Sequence, residues 1–257
     1  MKWTDIATGK THSAFQQFMV ALGDKAEVAV ERMNAEPVFA DRLADYALNG
    51  GVEPATNQKR ARDIMGKGFF GIEEAISHFG VNPTRRQLAV LSAIPATEAE
   101  LERFRNTHVL RAVFPLSTIE IRNRTAKVKM PDDQRLFAKQ DWYDKEPFAT
   151  EQGETSWQLV CKTKVANSTS LNWTQQQALI GKDDEVPTLQ VMVYTIISHF
   201  LVTGERLFEK LYVRTSSVYS DGSRVHLGRF GSEGLDVSRS WDGHCTDDLG
   251  VASARKF

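Results

Sequence analysis

The sequence is short of cysteine, of net charge and of long apolar runs. Cys161 and Cys245 are the only cysteines among 257 residues. No disulfide framework is available to hold the fold, so a reducing interior is tolerable. Lys and Arg number 32 against 33 Asp and Glu, a net charge of −1. That balance excludes a general coat for nucleic acid or anionic membrane, while leaving room for a local basic patch. The longest apolar stretch, Val191–Val202, is interrupted by Thr195, Ser198 and His199. It falls short of the roughly 20 residues that span a bilayer. The opening MKWTDIATGKTHSAF carries charges where an export signal needs an apolar segment. The default expectation is a cytoplasmic protein with no membrane span, surface display by another route staying open. What is present is 41% apolar and 25% charged, enough for a buried core and far from the compositions of disorder, coiled coil or collagen.

The first hundred residues read as helices. Phe15–Leu22, Ala26–Met33 and Phe39–Leu48 carry apolar residues at three-to-four spacing, the last stopping at Gly50–Gly51. Basic Gln58–Met65 follows, then Ile72–Phe79, Thr84–Ile94 and Thr97–Arg105, with Thr97 and Glu100 predicting a capping box. From His108 the character changes. His108–Leu116 and Trp157–Lys162 read as strands, and Gln134–Trp142 as an amphipathic helix. Thr188–Thr203, apolar on nearly all sides, reads as a core helix ending at Gly204. Leu211–Arg214 is strand-like. After Arg224 short alternating runs are punctuated by glycine: Val225 and Leu227 are expected to face in with His226 out, and Trp241 to share the inward face of Leu235 and Val237. Gly250–Phe257 is expected to form a last strand.

Three motifs invite a chemical reading and fail on context. Gly66–Gly71 matches GxGxxG, but a helix precedes it where a dinucleotide site needs a strand, so it reads as a helix end and loop. Gly9-Lys10-Thr11 lacks the earlier glycine and the strand of a phosphate loop. His244-Cys245 among Asp242, Asp247 and Asp248 lacks the further ligands zinc needs and the alternating oxygens of a calcium loop. No metal, cofactor or catalytic residue is therefore expected. Gly71–Leu91 can be drawn as a helix-turn-helix with Arg85-Arg86 toward phosphate. A DNA-binding regulator, with the C-terminal half as sensor, is the alternative function, against which stands the bland reading of two packed helices.

The C-terminal half resembles a known family. Tyr212-Val213-Arg214-Thr215-Ser216-Ser217, Gly234-Leu235-Asp236-Val237, Asp247-Asp248-Leu249-Gly250-Val251 and Ala252-Ser253-Ala254-Arg255-Lys256 are similar to the tails of variable proteins targeted by diversity-generating retroelements. The upstream runs Trp173–Gly181 and Val191–Glu209 share the likeness. The resemblance covers about residues 106–257, and more loosely Phe69–Arg105. It implies an α+β architecture, a C-type-lectin-like domain over 106–257 after a helical N-terminal region over 1–105. The strand near Val109–Phe114 would pair with the one near Val251–Arg255, and helices Gln134–Trp142 and Thr188–Thr203 would pack on that sheet.

In that family a reverse transcriptase varies adenines, mostly in asparagine codons, which yields neither Lys, Glu, Gln, Met nor Trp. Between Tyr219 and Asp248 these occur only as Glu233 and Trp241. The resemblance implies ligand binding without catalysis through outward and loop positions. These are Tyr219, Ser223, His226, Arg229, Gly231, Asp236 and Ser238, continuing through Arg239, Ser240, Gly243, His244, Cys245, Thr246 and Asp248. Such a mix of His, Cys, Arg and Tyr converges on no single mechanism and suits a diversified paratope. Its fixed support would be Val225, Leu227, Leu235, Val237 and Trp241. A protein is the expected ligand and a glycan the second choice; the charge balance argues against nucleic acid, and oligomeric state stays open. Oxidases on the same type of fold use paired cysteines, for which only Cys161 and Cys245 exist here.

Overall fold

In the computed structural model, residues 8–35, 56–131 and 134–257 are described. The chain divides into two units, Met1–Pro54 and Ala55–Phe257. The first contains α1 (Thr8–Leu22) and α2 (Ala26–Ala35), joined by a 3₁₀ turn; the expected helix Phe39–Leu48 lies outside the described residues. The expected boundary at residue 105 is thus replaced by one at Pro54. Residues 56–104 build into the second unit instead, as α3 (Thr56–Met65), β1 (Phe69–Phe70), α4 (Ile72–Phe79), α5 (Arg85–Leu91) and α6 (Glu98–Phe104). The reason is backbone pairing. β1 runs parallel to β2 (His108–Val113), and the buried Arg111 donates to the Gly68 carbonyl at 2.7 Å. The capping box of Thr97 and Glu100 forms as expected.

The remaining elements are α7 (Thr118–Thr125), α8 (Pro147–Thr150), β3 (Ser156–Cys161), α9 (Trp173–Gln177), β4 (Asp184–Glu185) and α10 (Leu189–Thr203). They are followed by β5 (Tyr212–Val218), β6 (Arg224–Gly231), β7 (Gly234–Ser240), β8 (Leu249–Val251) and β9 (Ala254–Arg255). The fold class is α+β. One sheet has the order β1-β2-β3-β9-β4 and the other β7-β6-β5-β8. α10 packs against strands of both, which is why it is apolar all round: Leu189, Met192, Val193, Ile196 and Ile197 are fully buried. Thr188 caps its start and Gly204, left-handed, ends it. No helix among the described residues is long and apolar enough to cross a membrane.

Three expectations are corrected. β2 does not pair with the C-terminal strand: β3 lies between them, taking β2 on one side and β9 on the other. The C-terminal run is two short strands, β8 in the second sheet and β9 in the first. Gln134–Trp142 is not a helix. Its residues run extended along the outer edge of β7, with Arg135 N–H donating to the Ser232 carbonyl (3.0 Å), Leu235 N–H to Leu136 (2.9 Å) and Ala138 N–H to Leu235 (3.1 Å). Phe137 bridges Leu235 in parallel. Pairing of otherwise unmatched edge groups outweighs the local helical pattern. Gly234 makes this approach possible: its φ is +98°, and a Cβ there would overlap the Phe137 carbonyl. α7, absent from the sequence reading, starts at a capping box of Ser117 and Glu120.

Candidate functional site

Alternation in the second sheet segregates its two faces. Val213, Val225, Leu227 and Val237 are fully buried on the side of α10, as expected for Val225, Leu227, Leu235 and Val237. The opposite face carries three cross-strand rows: Tyr212, Gly228 and Asp236; Arg214, His226 and Ser238; Val218, Arg224 and Ser240. The tract after β7 folds back toward this face.

Arg214 organises the middle row. It is fully buried and meets neutral acceptors: the carbonyl of His244 at 2.6 Å, Oε1 of Gln176 at 2.9 Å, the carbonyl of Leu171 at 3.3 Å and Oγ of Ser240 at 3.5 Å. Burial holds its guanidinium below the usual arginine range. It thereby ties the loop before α9, α9 itself and the 241–248 loop to the sheet. His226 lies on the outward face as expected, but it is covered, at 6% exposure. Its ring stands edge-on to Tyr212 at 5.1 Å, and its Nδ1 has no hydrogen-bond partner. Burial, with the nearby Arg214 charge adding to it, pushes the imidazole down to about 4.

Next to it a bulge in β6 lifts Arg229 outward. Gly228 permits this, since a Cβ there would overlap the Leu211 carbonyl, and Arg229 itself sits at φ +41°. Its Nη2 reaches Asp248 at 2.6 Å, and its guanidinium lies 5.2 Å from the Tyr212 ring centre. The Tyr212 hydroxyl and Gln140 Nε2 both donate to Asp236. Burial, then the Asp236 bond, raises the Tyr212 pKa.

At the far end of the strands, Arg239 stacks 3.7 Å over Tyr219 and 5.7 Å from Trp142 while pairing with Asp221. Asp221 also accepts from Ser223 N–H at 2.8 Å. Trp241 departs from expectation. It follows the last residue of β7, is 66% exposed and meets the His244 ring edge-to-face at 4.9 Å; once the strand ends, alternation no longer directs it inward.

The expected positions therefore divide among neighbouring regions. Tyr219, Ser223 and Arg239 lie at the strand ends. His226, Asp236, Ser238 and Ser240 lie on the sheet face, and Arg229 and Gly231 at the bulge. Gly243, His244, Cys245, Thr246 and Asp248 lie on the loop, where the Thr246 carbonyl accepts from Ser170 N–H at 2.8 Å. Both cysteines are free thiols, Cys161 half-buried and Cys245 exposed. Among the described residues no group of three or more His, Cys, Asp or Glu is placed to hold a metal ion. Sequence reading missed Tyr212, Arg214, Gln140 and Trp142; for the first two, alternation about Val213 was the available signal.

The helix-turn-helix segment places its two helices against different elements. α4 packs on β1, α7 and α10, while α5 packs on β3, its end fixed by Trp157 Nε1 donating to the Leu91 carbonyl at 3.1 Å. α5 is seven residues long. Comparison with known families, curated proteins and solved structures finds no significant match for this chain.

Proposed function

We propose that this chain is a non-catalytic ligand-binding protein, its second sheet presenting a retroelement-diversified surface on a C-type-lectin-like scaffold. The supporting observation is the segregation along β6, β7 and the following loop. The apolar residues Val225, Leu227, Leu235 and Val237 are fully buried. Twelve of the fourteen positions expected to vary keep solvent contact, His226 and Ser240 being the exceptions. A supporting layer of fixed apolar side chains lets exposed ones change at small cost, typically within about half a kcal/mol. The exposed set combines Arg, Tyr, His, Cys and Asp without a common mechanism, as a paratope does.

The ligand is a protein, with a glycan second. The packing of α4 and α5 on separate elements gives the DNA-binding alternative no comparable support. The deciding experiment is to sequence the DNA adjoining the gene. A near-copy of the segment encoding Tyr219–Phe257, differing at adenines and accompanied by a reverse transcriptase gene, is expected. An ordinary neighbourhood overturns the diversified origin.

A further inference from the structure

The extended segment on the edge of β7 does more than cover it. It brings Arg135, Lys139 and Gln140 alongside Tyr212, Arg229 and Asp236, around a cleft of about 440 Å³. Arg135, Lys139 and Gln140 also line a neighbouring open cleft of about 940 Å³, so the two share a wall.

The polar groups of the smaller cleft are unequally committed. Asp236 takes the Tyr212 hydroxyl on Oδ2 and Gln140 Nε2 on Oδ1. Gln140 Oε1 accepts from Val237 N–H at 3.1 Å. These three side chains satisfy one another. Arg229 engages Asp248 through Nη2. By contrast, the side chains of Arg135 and Lys139 have no hydrogen-bond or ion-pair partner among the described residues. Glu233, exposed at the β6–β7 turn, is the remaining acidic group of the lining. An arginine offers five N–H donors and a lysine three, and neither accepts. The spare hydrogen-bonding capacity of the cleft is therefore mostly donor and cationic.

We propose that this cleft binds carboxylates of an acidic segment on a protein ligand, with Arg135 and Lys139 as its principal contacts and Arg229 beside them. The proposal rests on the reading of the second sheet as a binding surface, but not on how its residues arose. Arg135 and Lys139 lie outside the Tyr219–Asp248 tract, on backbone zipped to β7. They form a constant wall for the ligand's acidic part, next to the bulge and loop positions that would discriminate between ligands. Such a pairing of fixed charge with variable contacts separates encounter from selectivity, since surface charge mainly sets the rate and orientation of approach.

The test uses the full chain and a fluorescently labelled peptide in which Glu alternates with Gly and Ser, followed by anisotropy. A second peptide has Gln in place of Glu. The Glu peptide is expected to bind saturably and the Gln peptide not. Binding should weaken as salt rises from about 20 to about 300 mM, which shortens the screening length. The double variant Arg135→Gln with Lys139→Gln is expected to lose about fivefold or more in affinity. Lys182→Gln with Lys210→Gln, which removes the same charge from exposed positions elsewhere, should stay within about twofold, and Trp241→Ala with His244→Ala is measured in parallel for the share of the loop. Equal binding of both peptides overturns the proposal, as does equal loss in the two charge-matched variants, or absence of binding. If only the loop variant loses affinity, the cleft assignment fails while the binding surface stands.

Discussion

Arg229 reaches Asp248 across the Tyr212 ring, with 2.6 Å between Nη2 and the carboxylate. It does so from a backbone conformation, φ +41°, that a side-chain-bearing residue adopts at a cost. Arg229→Gly relieves that cost and loses an exposed ion pair, so stability should change by less than about 1 kcal/mol. Arg229→Val, β-branched, should destabilise by about 1–3 kcal/mol. Urea unfolding of the three proteins gives the order; a valine variant as stable as the glycine one contradicts it.

Arg214 is the buried tie beneath the 241–248 loop. Arg214→Ala strands the carbonyls of His244 and Leu171 and the Gln176 amide oxygen, which predicts a loss of about 2–4 kcal/mol. Amide exchange should rise first over residues 241–248. Arg214→Lys should rescue little, because one ammonium cannot span acceptors that a planar fork reaches.

Buried His226 makes stability depend on pH in a defined direction. Its folded pKa, about 4, lies below the value near 6.5 of an unfolded histidine. Between these values the unfolded chain binds the proton, so stability falls as pH drops from about 6.5 to about 4 and is fully retained above that window. The contribution is about 3 kcal/mol. His108, also pushed down to about 4 by burial, acts in the same sense. Denaturation from pH 7 to 4 should show a shallower decline in His226→Asn than in the parent protein.

Gly234 is where the edge segment is fastened. Gly234→Ala forces a methyl group into the Phe137 carbonyl, predicting a loss of more than about 2 kcal/mol. The amides of Ala138 and Leu235 should lose their exchange protection together. A change confined to the turn itself would show that the edge pairing does not depend on this approach.

Exposed Trp241 should be thermally silent. Trp241→Ala is expected to shift stability by less than about 0.5 kcal/mol, against about 3–5 kcal/mol for a core tryptophan. A thermal melt distinguishes the two.

Elements governed by local chemistry were legible in the sequence. α10 announces itself by an apolar run between Thr188 and Gly204, α6 by its capping box, and the buried face of β6 and β7 by alternation at Val225, Leu227, Leu235 and Val237. Features decided by distant partners were not. The 135–140 segment is set by residues nearly a hundred positions away, as in the bond from Val237 N–H to Gln140 Oε1. The interposition of β3 between β2 and β9 leaves no trace in any single strand. Alternation placed His226 on the outward face, but its covering comes from Tyr212 and the loop. Trp241 lies one residue beyond the pleat that would have turned it inward.

β8 and β9, three residues and two, close different sheets. Both are encoded downstream of the stretch from Tyr219 to Asp248. A shifted reading frame anywhere in that stretch would therefore deprive each sheet of a strand, the second at β8 and the first between β3 and β4. Folding itself then checks the reading frame: in-frame copies of the gene complete both sheets, and out-of-frame copies leave a chain whose sheets cannot be completed.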